Sequence, residues 1–266
     1  MRAVLACLIV VTLAGAAGCS SDNPNQPTPT PAPPTGGGGT PAPPATPDPP
    51  AGPVTPPPPA PRIAKTRFVA FGDSLTEGVV SSPLMLTLVD IPRAYPARLA
   101  EALRTRYYDQ TDIVVLNEGR AGEFALDGKV RLTDVIKADA PQVLLLMEGA
   151  NEINVLGKRG VSRAVGALED MIKDAVRRGC IVFVATLPPQ RASGVNGFGA
   201  PYVEELNAQI RKTAADEGAT LVDVYPQFDL SLVGQDGLHL TEAGYVRLGA
   251  IFAAAIRQAF ETPPPT

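Results

Sequence analysis

Tryptophan is absent from the 266 residues, histidine occurs once, and cysteine three times. Each scarcity removes a class of protein. A single imidazole with no cysteine cluster leaves no ligand set for a zinc centre. Three scattered cysteines make no disulfide framework. Lys and Arg total 23 against 27 Asp and Glu, without a basic stripe, so nothing favours nucleic acid as a partner. No segment calls for a metal or any other cofactor. The scarcity of histidine raises a question, because imidazole is the side chain that exchanges protons near neutrality. The one copy, His239, lies in QDGLHLTEAGY, three places after Asp236.

The ends of the chain have little to fold with. Residues 1–19, MRAVLACLIVVTLAGAAGC, combine one positive charge, a short apolar run and a small-residue exit. That pattern is a secretory signal and falls short of the ~20 apolar residues a membrane span needs. Ala-Ala-Gly-Cys resembles a bacterial lipobox, apart from Ala16 in the place where leucine is usual. The resemblance implies cleavage before Cys19, lipidation of that cysteine, and an exported protein anchored to a cell-envelope membrane. Residues 20–61 hold 18 of the 29 prolines, a GGGG run and almost no large apolar side chain. Such a segment cannot bury enough surface to offset its ordering entropy, so it is expected to be a disordered tether. Its 42 residues would reach roughly 130 Å as polyproline. The end, 262–266, reads as a frayed tail.

Residues 62–261 remain, enough for one well-buried domain. Five apolar runs recur there: RFVAF (67–71), DIVVL (112–116), QVLLLM (142–147), CIVFVAT (180–186) and ATLVDV (219–224). Near-continuous hydrophobicity suits strands covered on both faces. Cys180, inside the fourth run, reads as a core residue. Helical spacing predicts Tyr95–Tyr107, Val161–Arg178, Ala200–Glu217 and Thr241–Phe260, the last with Thr241 as N-cap, and more faintly 129–138. Alternating strands and helices imply an α/β fold with a parallel sheet and right-handed crossovers. Ligands gather beyond the carboxyl ends of such strands.

At those ends stand GDSLTEG (72–78), NEGRAGE (117–123), EGANE (148–152), TLPP (186–189) and, further on, DGLH (236–239). Singly each is a common turn or a glycine-rich loop. Together and in this order they resemble the GDSL, or SGNH, hydrolase family, over essentially all of 62–261. The resemblance implies a flavodoxin-like three-layer αβα sandwich on a five-stranded parallel sheet. It also implies Ser74 as nucleophile, His239 as the base that takes the serine proton, and Asp236 as the acid that orients the imidazole. The oxyanion hole would be the Ser74 N–H, the Gly122 N–H and the Asn151 amide. Gly119 is a rival for the second place, and Glu77 a weaker alternative acid. Asp73 reads as a carboxylate bonding backbone amides. Glu152 departs from the aspartate usual after the asparagine, which leaves the shape of that loop open.

The expected activity is serine ester hydrolysis through an acyl-enzyme, lysophospholipase-like, on a small acyl ester or a lysolipid. A carbohydrate O-acetylesterase, an acyltransferase and an inactive lipid-anchored binding module are the alternatives. Two loops bear on the choice. Segment 79–92 carries Leu84, Met85, Leu86 and Leu88, which either line an acyl pocket or cover the sheet edge. Segment 190–201 is glycine-rich and reads as a mobile rim. Few aromatics and no tryptophan favour acyl esters over polysaccharide acetyl groups. Oligomeric state is not legible.

Overall fold

The computed structural model describes residues 60–82 and 86–263. The signal, all but the last two residues of the tether, Leu84, Met85 and residues 264–266 of the tail lie outside them. The strands are β1 Arg62–Ile63, β2 Arg67–Gly72, β3 Val79–Ser81, β4 Thr87–Val89, β5 Val114–Gly119, β6 Val143–Met147, β7 Ile181–Ala185, β8 Thr220–Val222 and β9 Glu261–Thr262. The helices are α1 Ser74–Glu77, α2 Tyr95–Arg106, α3 Ala125–Asp139, α4 Ala150–Leu156, α5 Lys158–Arg177, α6 Val203–Asp216 and α7 Glu242–Phe260.

The main sheet has the order β5-β2-β6-β7-β8 and is parallel throughout. Counting only these five, the order is 2-1-3-4-5, the flavodoxin-like arrangement. Every residue of β6 is fully buried, which explains why Val143–Met147 carries no polar alternation: helices cover both faces. On one side α2 packs against α7, with the Tyr95 ring stacked on Phe252 at 4.8 Å between centroids. On the other, α5 packs against α3, α4 and α6. The strand order reverses between β2 and β6, so their carboxyl ends open a crevice.

Several elements differ from the sequence reading. The segment after α1 is a small antiparallel hairpin, β3 paired with β4, not a loop. Helix α3 begins four residues before the predicted 129, because Gly128 interrupts its apolar stripe. A Cβ there would sit 3.2 Å from Glu148 and 3.3 Å from Phe71, so close packing displaces the expected pattern. EGANE (148–152), read as a strand-to-loop exit, runs into a helix from Ala150 to Leu156. Arg62 and Thr262 pair in a two-stranded sheet of β1 and β9, so Thr262 belongs to the folded part and not to the tail. Ala60, assigned to the tether, is buried.

Candidate active site

Helix α1 starts at the carboxyl end of β2. Asp73 caps it, its Oδ1 accepting from the Leu75 N–H at 2.9 Å, and Gly78 closes it in the left-handed conformation (φ 105°). This four-residue turn places Ser74 at the edge of the crevice. The Asp236–His239 turn reaches the same place from far along the chain. Asp236 Oδ1 accepts from the backbone N–H groups of Leu238 (3.4 Å) and His239 (3.2 Å), which folds the carboxylate back over the ring. His239 Nδ1 lies 2.5 Å from Asp236 Oδ2, and His239 Nε2 lies 2.9 Å from Ser74 Oγ, across 165 residues of sequence. Asp236 is fully buried and His239 is 9% exposed.

Burial pushes the Asp236 carboxyl up, but hydrogen bonds from His239, Asn196 and Ser81 outweigh it and hold the group at about 2. It is therefore a carboxylate at any working pH, facing the imidazole. A carboxylate, an imidazole and a hydroxyl in this sequence can pass a proton from the hydroxyl to the ring.

Ser74, Gly122, Asn151 and His239 all line a cleft of about 330 Å³, walled by Val79 and Leu88 among others. Gly122 adopts φ 77°, a conformation that favours glycine, and no described residue accepts its N–H. Gly119 is different: its N–H is already given to Asn117 Oδ1 at 3.0 Å. Of the two glycines, only Gly122 presents a free donor to the cleft. Asn151, near the start of α4, donates one amide hydrogen to Glu123 O at 2.7 Å, and its second hydrogen remains available. Glu77, the alternative acid, does not approach His239; its Oε2 accepts from the Ala121 N–H at 2.7 Å and steadies the loop before Gly122. Among the described residues no three His, Cys, Asp or Glu side chains come together as metal ligands.

A model of the GDSL-like lipase/acylhydrolase family matches residues 70–247. The chain belongs to that family. A multidomain esterase from Ruminococcus flavefaciens is 28% identical over 119 residues, which are 44% of this chain and only 16% of that protein. Similar solved structures include a lipase/acylhydrolase from Enterococcus faecalis (22% identity, 76% of this chain and 100% of that one, TM-score 0.63). Others are Est24, a carbohydrate acetylesterase from Sinorhizobium meliloti (20%, 74% and 100%, TM-score 0.64), and the aryl esterase of M. smegmatis (21%, 73% and 99%, TM-score 0.64). These likenesses show the fold.

Three residues of this family member's site escaped the sequence reading. Asn196 Nδ2 donates to Asp236 Oδ2 at 3.0 Å, and its backbone N–H to Asp236 O at 2.7 Å. The 190–201 segment is therefore a brace under the acid. Its glycines serve close approach: a Cβ on Gly194 would lie 2.2 Å from the Asp236 carbonyl carbon. Ser81 Oγ accepts the Asp236 N–H at 3.3 Å. Arg131, on α3, grips the loop that carries Gly122. Behind Ser74 lie four buried acids, Asp73, Glu123, Glu148 and Glu152. Burial pushes Asp73 up to about 7 and Glu148 well above the usual carboxylate range; neither oxygen of Glu148 has a partner among the described residues. Burial also raises Glu152, against the N–H groups of its own residue, Ala125 and Leu126. Leu88 reaches the cleft wall, while Leu86 stays 64% exposed.

Proposed function

We propose that this chain is an exported serine esterase that hydrolyses short acyl esters through an acyl-enzyme on Ser74, tethered to a membrane by a lipid on Cys19. His239 Nε2 takes the Ser74 proton as Oγ attacks the ester carbonyl carbon. Asp236 keeps the imidazole in the tautomer that leaves Nε2 free to accept, and offsets the charge the ring gains. The carbonyl oxygen, now negative, is received by the N–H groups of Ser74 and Gly122 and by the free hydrogen of the Asn151 amide. As the intermediate collapses, His239 returns the proton to the leaving alcohol. Water then attacks the acyl-enzyme by the same steps and frees the acid.

The observation that carries this reading is the unbroken hydrogen-bonded line Ser74–His239–Asp236 ending on a cleft that also holds unspent donors on Gly122 and Asn151. Cleft size argues for a short acyl group. At about 330 Å³ it sits at the small end of the ~300–1,000 Å³ usual for ligand sites, with Val79, Leu88, Val89 and Leu238 as apolar wall. Among the described residues nothing encloses a lysolipid chain.

The test is turnover of nitrophenyl esters from two to twelve acyl carbons by the full chain. The expected result is greatest kcat/KM at two to four carbons, with Ser74→Ala abolishing it. Equal turnover by Ser74→Ala, or no turnover of any ester, removes the proposal; a maximum at ten or more carbons removes the short-acyl part.

A further inference from the structure

Among the described residues, Arg131 is the one cation set among the buried acids behind Ser74. Its Nε donates to Glu123 Oε1 at 2.8 Å and its Nη2 to Glu123 Oε2 at 2.5 Å, a two-pronged grip between side chains only 12% and 3% exposed. The same guanidinium donates to the Glu118 carbonyl of β5 at 2.9 Å and lies 4.1 Å from the centre of the Phe71 ring of β2. Four points of contact on two strands and a loop fix where it sits. Glu123 in turn follows Gly122 directly, and its carbonyl oxygen accepts the Asn151 amide at 2.7 Å. Two of the three oxyanion donors therefore hang on the position of one residue, and that residue's side chain is held by Arg131.

We propose that Arg131 is a positioning residue of the ester hydrolysis, clamping Glu123 so that the Gly122 N–H and the Asn151 amide converge on the oxyanion. The inference rests on the esterase reading above. The physical need for the clamp lies in what surrounds Glu123. Glu148 is close: a Cβ on Gly128 would meet Glu148 Oε1 at 3.2 Å and Glu123 Oε2 at 3.4 Å. Asp73 and Glu152 are buried in the same region, and Arg120, the other cation near Glu123, is 65% exposed at 3.7 Å. Without the Arg131 guanidinium, the Glu123 carboxylate would be left in a dry site beside other acids. It would then turn outward, and the backbone on either side would follow. Lysine supplies charge but not the fork, so it replaces arginine only in part.

A double-mutant cycle on the full chain tests this, with nitrophenyl acetate as substrate. Arg131→Gln is expected to lower kcat by roughly 10–100-fold, less than the ~10²–10³ that outright loss of an oxyanion donor causes because the donors are displaced and not removed, with KM changed less than about threefold. Arg131→Lys should recover part of the loss. In an Asn151→Ala background the same Arg131→Gln change should cost at least about threefold less than in the parent, because one of the two donors it positions is already gone and only the Gly122 N–H is left to misplace. Full multiplication of the two losses, a kcat within twofold of the parent, or an effect confined to KM would each overturn the proposal. If Arg131→Gln does not fold, Glu123→Gln with Arg131→Gln takes its place in the cycle, because it leaves no charge on residue 123 and the other carboxylate on Arg131, Glu118, is 35% exposed. Failure of that neutral pair to fold also counts against it, by making Arg131 a requirement of the fold. An unmodified chain without esterase activity, or Ser74→Ala with full activity, would instead sink the esterase reading itself.

Discussion

Asp73 precedes Ser74, is completely buried, and leaves Oδ2 without a hydrogen-bond partner while Oδ1 caps α1. Burial lifts its carboxyl from an ordinary 3.8 to about 7, helped by Glu152 and Glu123 and opposed by the Leu75 N–H and His239. The folded chain thus holds a proton that the unfolded chain releases. The stabilisation from this proton is complete below pH 3.8 and is lost as pH rises through about 7. A displacement of roughly three units at ~1.36 kcal/mol each makes the loss on the order of 4 kcal/mol. An asparagine side chain in its place cannot ionise, yet the amide oxygen can keep the Leu75 cap, since Asn and Asp cap equally well. Asp73→Asn should therefore match the parent near pH 4 and exceed it by about 2–4 kcal/mol at pH 8.5. Glu148 is raised in the same direction, by burial and then by the Asp73 charge, so the variant also eases Glu148 at high pH and the difference keeps its sign. Urea midpoints at pH 4, 5.5, 7 and 8.5, followed by circular dichroism because the chain has no tryptophan, read the effect. A difference that does not change with pH, or a variant weaker than the parent at pH 8.5, would refute the reasoning.

Two further outcomes follow from the site and its tether. Asn196→Ala removes a donor to a buried carboxylate held at about 2, so it should destabilise by ~1.5–3 kcal/mol at neutral pH. Because the Asp236 carboxyl is depressed, that cost should be full above pH 4 and fade as pH falls toward 2, and thermal melts across that range would show it. Its kcat should drop less than about tenfold, since two backbone N–H groups still orient Asp236. Cys19→Ser, expressed in a bacterium that processes lipoproteins, should move the chain from the membrane or detergent phase to the aqueous phase with kcat/KM on nitrophenyl acetate unchanged. Retention in the membrane would rule out the anchor.

The sheet could be read from sequence because burial on both faces erases alternation, and Val143–Met147 has no other use in a chain of this composition. The site segments could be located because a parallel sheet sends its ligand loops to one edge, and GDSLTEG, NEGRAGE and EGANE each close a strand. What could not be read depends on contacts distant in sequence. Helix α4 has seven residues, too few to be stable alone, and exists by packing on α5. The β3–β4 pair is two three-residue strands, below the length at which alternation declares itself. Asn196 looked like a polar residue in a flexible glycine run until the Asp236 turn was seen lying on it. Arg131, one basic residue on a helix with few apolar positions, carries the pattern of a solvated face; only the fold brings Glu123 and Glu118 to it.

The buried acids show most plainly how position in the fold changes what a residue means. Along the chain, Asp73, Glu123, Glu148 and Glu152 are ordinary polar residues after strands, where loops are usually wet. The crossovers that build a 2-1-3-4-5 sheet bring those strand ends together, and helices α3 and α4 then close over them. Glu123 pairs with Arg131 there, while both oxygens of Glu148 and one each of Asp73 and Glu152 have no partner among the described residues, an arrangement that costs stability and that an apolar core would avoid. The Asp73 carboxylate attracts a positive charge on His239, the charge the ring would gain on taking the Ser74 proton. The group that weakens the fold as pH rises is thus the same group that, once ionised, favours that proton transfer. Asp73 therefore ties fold stability to pH at the same place where its ionised form would attract charge on the neighbouring ring.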